Sequence, residues 1–128
     1  MRRTEREYLR YQRKFFNEVL MRNPDHEDVL SALADVATRL GHYRRGLFID
    51  SKLAPMNPSD PLNYYNLACD FTKLGRLDRA FEALETAIAL GYRDFSFMDK
   101  DPDLESLRKD ARYGKFRRKI RKTVGFAE

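Results

Sequence analysis

Apolar positions recur along this chain at helical spacing, in blocks of similar length separated by glycine or proline. EDVLSALADVATRL carries Leu30, Leu33, Ala37 and Leu40 on one face and stops at Gly41, a residue that takes a left-handed helix end without steric cost. HYRRGLFIDSKLA predicts a second helix, closed by Pro55 and Pro58. The pattern then starts again: Asp60 is an N-cap candidate with Pro61 behind it, LNYYNLACDFTKL runs to Gly75, and RLDRAFEALETAIAL runs to Gly91. LGHYRRG at 40–46 returns as LGRLDRA at 74–80, and Asn23-Pro24 returns as Asn57-Pro58, both at an interval of 34 residues. One helix-turn-helix unit is therefore written twice.

Small residues occupy matching places in the two units, Ala34 with Gly46 and Ala68 with Ala80, which lets paired helices approach closely. Asp50, in the second helix of the first unit, is expected to be partly exposed or paired with Arg13, Arg44 or Arg45, since burying an unpaired carboxylate is costly. Upstream, Thr4 and Glu7 have the spacing of a capping box ahead of a helix bearing Leu9, Phe16, Val19 and Leu20. Downstream, Asp101 and Pro102 predict a short capped helix, with Leu104, Leu107, Tyr113, Phe116 and Ile120 turned inward. The organisation read from this is a leading helix over 1–24, repeats over 25–58 and 59–92, and capping helices with a basic tail over 93–128.

The two units resemble tetratricopeptide repeats. The second places Leu67, Ala68, Phe71, Leu74, Gly75, Ala80, Leu84 and Ala87 at the family's signature positions; the first places Leu33, Ala34, Leu40, Gly41, Tyr43, Gly46 and Pro58. The first departs from the pattern at Ala37, Asp50 and Leu53, and Leu30 stands where Tyr64 replaces the family's Trp in the second. The resemblance implies an all-α, short right-handed solenoid of antiparallel helix pairs, roughly seven or eight helices in all, with residues 1–24 as a degenerate leading half-repeat. It also implies a concave groove lined by Asp28, Ser31, Asp35 and Arg39 of the first repeat and by Tyr65, Asn66, Cys69, Thr72 and Lys73 of the second. Tyr65 is either an aromatic anchor for a ligand or packing for the terminal helices. Cys69 reads as a small hydrophobe rather than a reactive thiol. Arg39 and Lys73 hold equivalent places and would favour an acidic ligand segment; Asp28 and Asp35 would favour a basic one.

Composition narrows the function. Residues 1–24 carry seven Lys/Arg against three acids (+4), residues 25–107 nine against fifteen (−6), and residues 108–128 nine against two (+7). No apolar run spans a membrane, no secretion signal is read at the N-terminus, and one cysteine suits a reducing cytoplasm. His26 and His42 read as turn histidines, and neither metal-ligand spacing nor a nucleophile or phosphate-loop motif is present, so no cofactor, metal or catalytic residue is expected. Asp94, Asp99, Asp101, Asp103 and Glu105 lack the glycine and terminal Glu of a calcium loop. The expected function is a non-catalytic adaptor taking a peptide or helix of another protein. Capture of a chaperone's C-terminal carboxylate is disfavoured, since only Asn66 matches that subclass and Asp35 would repel the ligand. Two alternatives stay open: Arg117, Arg118, Lys119, Arg121 and Lys122 meeting RNA, ribosome or an anionic surface, and self-association of basic ends with an acidic middle.

Overall fold

A computed structural model of the chain describes residues 1–125. Every regular element there is helical: α1 Arg3–Arg22, α2 Glu27–Arg39, α3 Tyr43–Met56, α4 Pro61–Lys73, α5 Leu77–Ala89, the single turn α6 Phe95–Met98, a 3-10 turn at Pro102–Leu104, α7 Glu105–Arg108 and α8 Arg112–Val124. The chain divides into two compact units, Met1–Pro58 and Ser59–Glu128. The last three residues of the C-terminal capping segment, 126–128, lie outside the described residues.

The 34-residue period is a period of backbone chemistry. After α2, Gly41 sits at φ 81° while its N–H bonds Thr38 O at 3.0 Å and the next N–H, of His42, reaches Ala37 O at 2.8 Å. After α4, Gly75 sits at φ 75°, with Gly75 N to Thr72 O at 3.0 Å and Arg76 N to Phe71 O at 2.8 Å. This pair of bonds satisfies carbonyls that a helix end otherwise leaves orphaned. The entrances match too: the His26 ring accepts from Val29 N at 3.3 Å, and 34 residues on the Asp60 carboxylate accepts from Leu62 N at 2.9 Å. His26 is thus a helix cap rather than a bystander of the turn. Thr38 and Thr72 both donate back to the carbonyl four residues earlier, at 2.9 and 2.7 Å.

In the first unit, α2 and α3 form an antiparallel pair and α1 packs on α2. Leu30, Leu33, Ala34, Ile49 and Leu53 make the core, with Phe16, Leu20 and Met56 against it. Leu9, Val36 and Leu40 form a second cluster that Phe16 also touches. In the second unit α4 pairs with α5, while α8 covers α5 through an edge-on Phe81–Phe116 contact at 5.5 Å between ring centres. Leu104, Leu107, Tyr113, Phe116 and Ile120 are all buried. Each such side chain taken out of water contributes about 1.5–3 kcal/mol.

Three expectations need correction. The Thr4–Glu7 capping box does not form: the N-cap is Arg2, two residues before Thr4, and Glu7 instead accepts from Arg3 Nε at 3.0 Å. Pro55 does not stop α3, because in the final turn it forfeits only its own N–H bond and Asn57 N still reaches Leu53 O at 3.3 Å. Of the two outcomes expected for Asp50, partial exposure is excluded: the residue is buried and held in an interaction there.

Opposite outcomes are expected at two glycines. A Cβ at Gly75 would meet nothing within 4 Å, so Gly75→Ala tests backbone strain alone and should destabilise by about 1 kcal/mol. Gly114 lies within α8 in ordinary helical conformation, and its Cβ would touch only the Arg118 guanidinium, at 3.4 Å. Gly114→Ala should stabilise by about 0.5–1 kcal/mol, read as a rise in the urea midpoint.

Candidate functional site

The face of α4 that was expected to line a groove is closed by the chain's own following segment. Tyr65 is 5% exposed, and Cys69 and Thr72 are buried beside it. Tyr65 stacks on Tyr92 with ring centres 4.6 Å apart and planes 19° from parallel, and Phe97 lies at 6.4 Å. Its hydroxyl donates to Asp101 Oδ2 at 2.6 Å, and Cys69 Sγ approaches the same oxygen at 3.9 Å. Asp101 Oδ1 accepts from Asp103 N at 2.9 Å, capping the 3-10 turn. The Asp101 carbonyl in turn accepts from Arg108 at 2.6 Å, and the same guanidinium nitrogen reaches Met98 O at 3.1 Å. Lys73 Nζ lies 3.7 Å from Asp103 Oδ1.

This corrects the groove assignment for three residues. Tyr65, Cys69 and Thr72 are packing and hydrogen-bonding groups beneath residues 92–104, not surface offered to a partner, whereas Lys73 stays exposed and reaches Asp103 in a long surface pair. Asn66 remains exposed. In the first unit Asp28, Ser31, Asp35 and Arg39 are all exposed along α2, where Arg39 Nε pairs with Asp35 at 3.2 Å. The equivalence of position is one of number: Ser31 stands 34 residues before Tyr65, Asp35 before Cys69 and Arg39 before Lys73. The same helix face is covered in one repeat and open in the other.

The basic tail also separates. Arg117 makes a two-point contact with Asp99 at 2.9 and 3.0 Å and lies over the Phe95 ring, while Tyr113 donates to the same carboxylate at 2.6 Å. It ties α8 to α6 and is not free to meet a phosphate. Lys119 reaches Glu85 at 3.4 Å in an exposed pair that contributes little. Arg118, Arg121 and Lys122 remain exposed.

Cys69, Asp101 and Asp103 bring a thiol and two carboxylates within 4.8 Å, a grouping that sequence spacing did not reveal. Both Asp101 oxygens already have donors, so the geometry serves the cap. Among the described residues, no helix is long and apolar enough to cross a membrane. The fold and this site define an all-helical protein of repeat-spaced hairpins whose second hairpin is closed by its own chain.

No protein-family model matches the chain. A stretch of 45 residues, 35% of the chain, is 49% identical to a chloroplastic protein of Arabidopsis thaliana. That stretch spans only 13% of the Arabidopsis protein.

Burial, reinforced by donation to Asp101, holds the Tyr65 phenol far above its ordinary range. Burial raises Tyr92 to about 12, with the Asp94 and Asp101 charges adding to it. Burial and the bond to Asp99 likewise raise Tyr113. A raised phenol favours the folded state at any pH below its unfolded value of 10.0, and the advantage is lost as pH climbs from there through about 12. Stability should therefore be level approaching pH 10 and fall above it, with tyrosinate absorbance rising together with loss of helical circular dichroism. Full tyrosine ionisation with helicity intact would contradict this placement. Tyr65→Phe should cost about 1–3 kcal/mol by stripping a donor from a buried carboxylate, and a double-mutant cycle with Asp101→Ala should show strong coupling.

Proposed function

We propose that this chain is a non-catalytic protein-interaction module of the tetratricopeptide-repeat kind, which receives a peptide or helix of another protein on the open side of its first repeat. The observation that supports it most is the asymmetry between the repeats. Along α4 the face carries a polypeptide, the chain's own 92–104 segment, held by stacked rings and a received carboxylate. The equivalent face of α2 displays Asp28, Ser31, Asp35 and Arg39 to solvent. A face built to take polypeptide in one copy is available for it in the other. The acids and the Arg39 cation set ligand polarity, and the absence of a catalytic constellation in the sequence fits a binding role. A reducing compartment such as the cytoplasm suits a protein whose single cysteine is a buried thiol.

A second reading rests on Arg118, Arg121 and Lys122, exposed together near the end of α8: contact with RNA or another anionic surface.

Affinity capture of partners with the intact protein separates the two. Ser31→Arg with Asp35→Arg should weaken capture at least about tenfold while leaving the melting temperature nearly unchanged, since both side chains are exposed. If capture survives this change and is lost when Arg118, Arg121 and Lys122 are neutralised, binding belongs to the tail. Steep loss of binding with added salt would then favour nucleic acid.

A further inference from the structure

Between Arg112 and Val124, α8 carries seven Lys/Arg and no acid. Its Tyr113, Phe116 and Ile120 are buried, Phe116 edge-on to Phe81 of α5, so the helix packs by one side. The flanks of that side are matched. Arg112 pairs with Asp78 and Asp110, Arg117 with Asp99, and Lys119 with Glu85. Each acid that bonds α8 from outside the helix thus already holds a flank cation. Lys115, Arg118, Arg121 and Lys122 are exposed, and among the described residues none of the four has an ion pair. Lys115, Arg118 and Lys122 follow one another at spacings of three and four, opposite the buried side, with Arg121 along one edge. At the rise of an α-helix this row is about 10 Å long. The Arg118 guanidinium lies back over Gly114, 3.4 Å from where a Cβ would stand, so the helix surface beside it carries no side chain.

In an inference that rests on the anionic-surface reading of α8, we infer that this row binds the phosphate backbone of a nucleic-acid duplex without reading its sequence. Four surplus cations on one helix face call for an occupant of matching charge density, and a duplex supplies one negative charge per about 1.7 Å of its axis. The acidic face of a second copy falls short of that. Its α2 exposes Glu27, Asp28 and Asp35, but Asp35 is already paired with Arg39, which leaves two acids within one turn. A lipid surface fits less well for a different reason. A basic helix holds a membrane by burying its apolar face, and α8 uses that face against α5. A single strand is held by rings on which its bases stack, and the rings of α8 are the buried ones. What the row offers is charge and hydrogen-bond donors alone, which position a backbone and carry no sequence information.

The probe is a short fluorescent duplex, made as DNA and as RNA, titrated against the full chain at several salt concentrations. Saturable anisotropy is expected, equal for two unrelated sequences, and the tighter arm names the source of the duplex. With four phosphates contacted, affinity should fall about twelvefold for each doubling of salt, and Arg118→Gln with Lys122→Gln should lower that factor to about three- or fourfold. Both side chains are exposed, so the melting temperature should stay nearly unchanged. The same loss of charge on α1, Arg10→Gln with Lys14→Gln, should leave the salt factor as it was. Absence of saturation at low salt, an unchanged salt factor in the α8 variant, or an equal reduction in the α1 variant overturns the inference. So does tighter binding to polyuridylate or to anionic vesicles than to either duplex, or Arg118-dependent dimerisation in sedimentation equilibrium. If both duplexes fail while anionic vesicles bind and the α8 change releases them, the duplex inference falls and the anionic-surface reading stands. If vesicles fail as well, both fall.

Discussion

A helix hairpin has more apolar surface than its two members can hide against each other, and every feature of this protein follows from how each leftover face is covered. The turns fix where those faces point. Gly41 and Gly75 adopt the same left-handed conformation, and each glycine N–H and the N–H after it bond an equivalent pair of carbonyls, so the hairpins present equivalent residues at equivalent places. What differs is the cover. In the second unit the chain after Gly91 folds back, and Asp101 joins the cover to the hairpin: one oxygen takes the Tyr65 hydroxyl, the other caps the turn that delivers Leu104. In the first unit α1 covers α2, and among the described residues α1 itself keeps an outer face whose Tyr8 and Phe15 stand in solvent.

The cover of the second unit shows how a polar group can be put to work in a buried place. Asp101 is buried, and a lone carboxylate there would be costly. Its donors come from a side chain on α4 and from the backbone of its own turn, so removing any one leaves charge poorly solvated. The same logic governs Asp99, which takes a phenol from Tyr113 and a forked contact from Arg117. Part of the acidic middle and part of the basic end seen in the sequence are thus matched to each other within one unit, as Arg117 with Asp99, Arg112 with Asp78 and Lys119 with Glu85 show.

The fold was legible because it is carried by local signals: the recurrent Leu-Gly ends, the Asn-Pro boundaries, and small residues at facing positions. The inward set Leu104, Leu107, Tyr113, Phe116 and Ile120 was legible for the same reason, each lying on a helical period. The groove was legible only as a list of helix positions. Period places Tyr65, Cys69 and Thr72 on the outer face of α4, but which segment covers that face depends on a contact 36 residues away, between Tyr65 and Asp101. One signal was present: Ser31 and Asp35 in the first repeat become Tyr65 and Cys69 in the second, a polar-to-apolar change that marks a face going under cover. Capping at Thr4 failed for a smaller reason, since the helix starts two residues before the box requires and the box depends on that register.

Cys69 gives the most direct test, because it is the single cysteine and lies beneath the cover. The rate at which a small alkylating reagent modifies it in the native protein, compared with the rate in denaturant, measures how closed the α4 face is. The structure predicts native modification slower by about 100-fold or more, accelerating when Asp101→Ala loosens the segment. Modification of the native protein at nearly the denatured rate would mean the α4 face is open, and would contradict the division into a covered and an uncovered repeat.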